Sequence, residues 1–266
     1  MSFSISGKTA IVTGSANGIG LAIARNFAQH GANVMCADMD EKRLAEQIGE
    51  PKEDSNMRYF AGDLRQRLTI ANLLSATIDA FDQVDILVNA SRQVLQSDPL
   101  DPEDTSIETM LEQNLMTSYR LTQQVAKRMI KQGEAKEEGP VGSIINLSSI
   151  AAHQTRPELL AYSIASAGLE QMTRGLALTL APHRIRVNAV AFGSVMSASL
   201  QGAIKDNPEL RRDIEARTPL NRIASPNELV DAVQFLASDG SSFVTGEVLT
   251  VDGGRSLLDP VDAPVH

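Results

Sequence analysis

Two short stretches of this chain carry residue types that could do chemistry together. Residues 13–20 read Thr-Gly-Ser-Ala-Asn-Gly-Ile-Gly, and residues 162–168 read Tyr-Ser-Ile-Ala-Ser-Ala-Gly. Closely spaced glycines let a backbone approach a phosphate group, and a tyrosine hydroxyl can give or take a proton at a reacting oxygen. The first stretch therefore reads as a dinucleotide cradle and the second as a tyrosine site, with the Ser166 hydroxyl four residues beyond the phenol.

The cradle gains meaning from its neighbours. It follows the β-branched run Thr9-Ala10-Ile11-Val12 and opens a segment with helical spacing, Ile19 to His30. In that setting Gly14 makes the tight turn, Gly18 leaves room for a pyrophosphate and Gly20 allows close packing, while Ser15, Asn17 and Ile19 fill the turn. The helix N-terminus then offers amide donors and partial positive charge to the phosphates. A glycine-rich turn alone would equally serve as an ordinary strand-to-helix connection.

Asp38 sharpens the reading. It ends the second apolar run, eighteen residues after Gly20. There its carboxylate can accept both adenosine ribose hydroxyls and repel a 2′-phosphate, and Ser15 and Met39 bring no cation to the pocket. This points to NAD rather than NADP. The alternative is that Asp38 caps a helix beginning at Glu41.

The elements that must hold these residues alternate along the chain. Short apolar runs at 9–12, 33–37, 57–60, 86–88, 143–147, 186–190 and 248–251 are separated by helix-period segments, the pattern of a parallel sheet crossed by helices. Several runs are apolar on both parities, as strands covered on both faces should be. The expected fold class is α/β: a doubly wound, Rossmann-type sheet of seven parallel strands with helices on both faces, in a single domain. Helices are expected over 19–30, 107–130 and 161–180, with another opening at Pro226 behind Ser225 as N-cap. Residues 132–142 read as an exposed loop. The long, irregularly patterned stretch 194–225 reads as a substrate lid.

Composition excludes several functions. A net charge of −9 disfavours nucleic acid as a partner. The single cysteine, Cys36, allows no intrachain disulfide and no cysteine-based metal cluster, and its apolar surroundings mark a buried small hydrophobe. No run approaches the roughly 18 apolar residues that span a bilayer, and the N-terminus lacks a signal pattern, so no membrane is expected and a soluble, cytoplasmic protein is. No metal site is expected.

Taken in order, the motifs resemble those of the classical short-chain dehydrogenases/reductases from about Gly7 to Gly254. They are the cradle, Gly-Asp-Leu at 62–64, Asn-Ala-Ser at 89–91, Asn114, Ser148-Ser149, Tyr162, Arg186-Val187-Asn188 and Val251-Asp252-Gly253-Gly254. The resemblance implies that Asp63 and Leu64 meet the adenine, that Asn89 and Ala90 line the adenosine side of the loop after the fourth strand, with Ser91 close to the cofactor, and that Val195 faces the nicotinamide. It also implies that Tyr162 is the proton donor or acceptor and that Ser149, thirteen residues earlier, polarises the substrate carbonyl. Asn114 would hold a water of the proton relay. Family tetramers form through helices that correspond to 107–130 and 161–180, and a homotetramer is expected on the same ground.

The departures matter equally. The family carries lysine where this chain has Ser166, holding the nicotinamide ribose and favouring the ionised phenol by its charge, an effect of up to roughly 4 kcal/mol at 4 Å and an effective dielectric of 20. Ser166 can keep a hydrogen bond to the cofactor but supplies no charge. Ser91 and Phe192 stand where Gly and Pro are usual. Three changes around one pocket indicate an altered site.

Two readings follow. One is an NAD-dependent oxidoreductase that passes hydride between nicotinamide and a small alcohol or ketone with atypical or reduced catalysis, slow at neutral pH and faster toward alkaline pH, aided by His153 or Arg156 or by the nicotinamide's own charge. The other is a catalytically silent NAD-binding relative acting as sensor, scaffold or assembly partner. Secondary alcohols, sugars, polyols and steroid-like rings all fit as substrates. The tail 255–266 reads either as lying on a neighbouring subunit or as disordered.

Overall fold

A computed structural model describes residues 3–49, 55–196 and 198–259. Seven strands, β1 (Thr9–Thr13), β2 (Asn33–Asp38), β3 (Met57–Ala61), β4 (Ile86–Asn89), β5 (Gly142–Ser149), β6 (Ile185–Phe192) and β7 (Val248–Val251), form one parallel sheet in the order β3-β2-β1-β4-β5-β6-β7. All seven fall on the apolar runs of the sequence.

The helices are α1 (Gly18–Gln29), α2 (Glu41–Ile48), α3 (Arg67–Phe81), α4 (Ser106–Met110), α5 (Thr117–Gly133), α6 (Leu160–Leu180), α7 (Ala198–Asp206), α8 (Pro208–Ala216) and α9 (Pro226–Ala237). They cover both faces because side chains alternate along each strand. Ala10 and Val12 of β1 point toward Ile23 and Phe27 of α1 and Val233 of α9, whereas Ile11 points toward Leu73 of α3 and Leu121 and Val125 of α5. Each such buried aliphatic side chain contributes about 1.5–3 kcal/mol. Cys36 lies fully buried in the first of these layers, and burial pushes its thiol up to about 12.

Three local features differ from the sequence expectation. The helix expected over 107–130 is interrupted by a π-helical turn, Leu111–Met116, where the Thr117 hydroxyl donates to the Glu112 carbonyl at 2.9 Å. The N-cap of α2 is Asp40, whose side chain accepts from the Arg43 amide at 3.0 Å, which frees Asp38 from the capping role considered above. The stretch 194–225 holds two short helices, α7 and α8, and its ends are tied by a bridge between Val195 and Ala224. The expected N-cap of α9 is present, and the Glu228 carboxylate accepts the Ser225 amide at 2.9 Å.

The start of the tail forms a 3-10 turn, Arg255–Leu257, and Arg255 donates to the Ser194 hydroxyl at 2.6 Å; residues 260–266 of the tail lie outside the described residues. Among the described residues no helix is long and apolar enough to cross a membrane.

Candidate active site

The strand order reverses between β1 and β4, and the crevice outside the carboxyl ends of strands at such a switch point is where ligands sit in doubly wound sheets. The residues flanking it are Gly14 after β1 and Ala90 and Ser91 after β4. Gly14 adopts a positive φ of 67°, and a Cβ there would lie 2.8 Å from the Ser91 Cα. The Thr13 hydroxyl draws the two loops together by accepting the Ala90 and Ser91 amides, each at 3.0 Å. Gly20 is pressed so close to the turn that a Cβ would fall 2.2 Å from the Gly14 carbonyl oxygen.

Helix α1 begins without a side-chain cap: Asn17 makes no capping bond, and the first turn carries no acidic residue. Its amides are thus left for an external acceptor. They open on a groove of about 880 Å³ lined in part by Gly14, Asn17, Gly18, Ile19 and Gly20 on one side and Ala90, Ser91 and Arg92 on the other. That volume lies within the usual range of roughly 300–1,000 Å³ for ligand sites.

One end of the groove is walled by Asp38, Met39, Asp63 and Leu64. Asp38 accepts the Ala16 amide on one oxygen and the Asp40 amide on the other, both at 3.1 Å. Met39, 64% exposed, presents an apolar side chain beside it. Arg65 forks the Asp63 carboxylate at 2.7–3.0 Å and holds that carboxyl below its ordinary range.

Ser15, Asn89 and Val195 do not wall this groove. The Ser15 hydroxyl is buried and donates to the Ala37 carbonyl at 3.3 Å, tying the turn to β2. The Asn89 amide donates to Asn146 at 2.8 Å and Thr122 at 3.1 Å, a buried brace between strands and helix. Val195 is packed into the core.

Tyr162 does not wall the groove either: it lies in the first turn of α6, beside a separate narrow void that Ser91 and Arg92 also line, packed in a small apolar cluster with Met110, Ala151, Ala161 and Ala165. Its hydroxyl accepts a hydrogen bond from Arg92 Nη1 at 2.8 Å. The Arg92 guanidinium also lies over the Phe192 ring, 4.3 Å from its centre. The Ser166 hydroxyl turns back along α6 to donate to the Tyr162 carbonyl at 2.8 Å. Ser149, at the end of β5, accepts the Ala151 amide at 3.1 Å and so starts the 3-10 turn that packs on α6.

Asn114, inside the π-helical turn, clamps the backbone of Gln93: its oxygen accepts the Gln93 amide at 2.9 Å and its nitrogen donates to the Gln93 carbonyl at 2.8 Å. Its side chain is a brace for the segment that carries Arg92. π-turns of this kind recur at functional sites.

Arg92 escaped the sequence reading. Of the cations considered there, His153 Nε2 lies 3.0 Å from the buried Glu170 carboxylate, and Arg156 stands near Arg255, whose pKa burial and then Arg156 push down. The one available signal was an arginine directly after the Asn-Ala-Ser loop.

A family model described as Enoyl-(Acyl carrier protein) reductase matches residues 14–256. The chain is 32% identical over 252 residues to an L-rhamnose 1-dehydrogenase (NAD(P)(+)) of a Sphingomonas species, covering 94% of this chain and 96% of that protein. It is 31% identical over 252 residues to a 3-oxoacyl-[acyl-carrier-protein] reductase of Thermotoga maritima, covering 94% and 98%. A solved structure of a 7α-hydroxysteroid dehydrogenase complexed with NADH and 7-oxo glycochenodeoxycholic acid superposes with a TM-score of 0.86 at 29% identity, covering 95% of this chain and 96% of that one.

Proposed function

Because the chain belongs to the short-chain dehydrogenase/reductase family of oxidoreductases, we propose that it is an NAD-dependent enzyme interconverting a small alcohol and its ketone. The observation that carries this reading is the continuity of the groove, which runs from the glycine cradle past Asp38 to Arg92, whose guanidinium touches the Tyr162 hydroxyl.

The residues fit a nicotinamide dinucleotide. The uncapped amides of α1 suit the pyrophosphate, and Asp38 suits the adenosine ribose hydroxyls while repelling a 2′-phosphate. Met39, Asp63 and Leu64 suit the adenine, and Ala90 and Ser91 the adenosine side of the groove. Asn89 and Ser15 support the walls from behind, and Val195 belongs on the nicotinamide side. When bound, the dinucleotide supplies or accepts the hydride.

The chain's own residues manage the proton. Tyr162 gives a proton to the substrate oxygen in reduction and takes it back in oxidation. Ser149 uses its oxygen to hold the Ala151 amide, which leaves its hydroxyl hydrogen to donate to the same substrate oxygen as charge develops there. The residues 194–225 serve as the lid, with Leu200 of α7 lining the groove. The working form is a homotetramer joined through the α4–α5 and α6 faces.

The test is titration with NAD(H) and NADP(H), followed by a screen of alcohols and ketones with the bound nucleotide. NAD binding and turnover lost in Tyr162→Phe are expected. Preference for NADP would overturn the role of Asp38, and absence of binding to either would overturn the proposal.

A further inference from the structure

We infer that Arg92 supplies the positive charge of the proton-transfer site, so that Ser166 marks a cation moved to another strand-end loop rather than one lost. This rests on the reading of Tyr162 as the proton-transfer group.

The geometry is that of a built contact. Arg92 Nη1 reaches the Tyr162 oxygen at 2.8 Å, and the flat guanidinium rests on the Phe192 ring at 4.3 Å. Such a stack fixes the plane of an arginine and leaves its edge free to donate. A proline at 192 would offer no aromatic face. The backbone that launches Arg92 is pinned on both sides, by Thr13 through Ala90 and Ser91 and by Asn114 through Gln93.

Ser166 completes the arrangement. A narrow void beside Tyr162 is lined by Asn114, Ser118, Ser166 and Arg92 among others, and Arg92 is the one charged side chain among the described residues that line it. A lysine at 166 would extend into this void and set its ammonium against the guanidinium. The serine, bonded to its own helix, leaves the space to Arg92. The departures at 166 and 192 are thus two sides of one contact.

The remaining charged groups nearby are spoken for. Glu170, on α6, is bonded to the Ser148 hydroxyl at 3.0 Å, paired with His153 at 3.0 Å and 3.9 Å from Arg174. The 3-10 turn and the π-turn bring the neutral Ala151 and Asn114 to the phenol's surroundings. The guanidinium is a charged donor held at the phenol oxygen, at 2.8 Å. Arginine stays protonated throughout, so it relays no proton. In oxidation Tyr162 would take the substrate hydroxyl proton and in reduction return it, and a bound nicotinamide dinucleotide would accept or supply the hydride.

The test compares wild type with Arg92→Gln, Arg92→Lys, Tyr162→Phe and Arg92→Gln combined with Ser166→Lys. Two readouts are taken: kcat/KM from pH 6 to 10, and ultraviolet titration of the nucleotide-free protein. The chain has no tryptophan and three tyrosines, so phenolate absorbance reads Tyr162 against only Tyr59 and Tyr119, with Tyr162→Phe identifying its step. Arg92→Gln should lose about 100-fold in kcat/KM at pH 7, recover toward pH 10, and move the Tyr162 step to higher pH. Arg92→Lys should retain most of the rate, and adding Ser166→Lys to Arg92→Gln should restore the neutral-pH rate. Identical pH profiles and absorbance titrations in wild type and Arg92→Gln would overturn the inference. A wild type inactive on every substrate refutes the proposed activity instead, and the absorbance titration still decides the role of Arg92.

Discussion

Asp38 accepts the Ala16 amide at 3.1 Å, so the carboxylate that ends β2 is fastened to the glycine turn that ends β1. Its second oxygen is held by the Asp40 amide. Two backbone donors fix the charge at the groove wall, where it cannot turn aside for a phosphate. Asp38→Asn keeps the size and the acceptor oxygen while removing the charge. The expected outcome is a fall of about 10- to 100-fold in the preference for NAD over NADP, equivalent to about 1.4–2.8 kcal/mol, mostly through tighter NADP binding. Calorimetric titration with both nucleotides checks it, and an unchanged ratio counts against the role given to Asp38.

The contact between Gly20 and Gly14 yields a second expectation. An added methyl at 20 would meet the Gly14 carbonyl oxygen at 2.2 Å, and that oxygen belongs to backbone, which cannot swing away as a side chain could. Gly20→Ala must push α1 off the turn, at a cost of about 1–3 kcal/mol in stability. The shift also moves the α1 amides from the groove, so NAD should stabilise the variant against heat by much less than it stabilises wild type. Gly139→Ala is the control, since no atom lies within 4 Å of its added methyl, it does not line the groove, and the strain is that of φ +84° alone. Equal protection of Gly20→Ala and wild type by NAD would remove the argument for this close approach.

These two expectations use parts of the molecule that sequence alone displays. Parallel strands announce themselves as apolar runs, and all seven fall on such runs even though the edge strands β3 and β7 are only partly buried; the cradle, Asp38 and Tyr162 sit at fixed offsets from them. What stayed hidden depends on contacts between distant positions. The π-turn at Leu111–Met116 leaves the apolar spacing of the flanking helices intact, so 107–130 reads as one helix. Helices α7 and α8 are short, and α8 is rich in charge, which gives only a faint periodic signal. Arg92 acquires meaning only when β4, β6 and α6 bring 92, 192 and 162 together. Ser166 is a departure only by the resemblance to the family, whereas the arginine beside the tyrosine is visible only in the fold.

The surface of the longest helix supports an expectation about assembly. Leu178 on α6 is 79% exposed, and Ile164 on the same helix is 39% exposed. Apolar side chains shown to water on a helix face mark a contact surface when they extend to neighbouring elements, and Ile107 of α4 continues the pattern. Symmetry doubles the effect of each such residue, because an isologous interface meets its own copy. Sedimentation velocity should therefore give a tetramer for wild type. Leu178→Glu, which would place like charges in the contact, should dissociate it at micromolar concentration. Leu100 is more exposed still, at 93%, but lies in the loop before α4 and off these helix faces, so Leu100→Glu should leave the tetramer intact. A monomeric wild type would refute the assembly, and dissociation by Leu100→Glu with Leu178→Glu unaffected would move the interface away from α6.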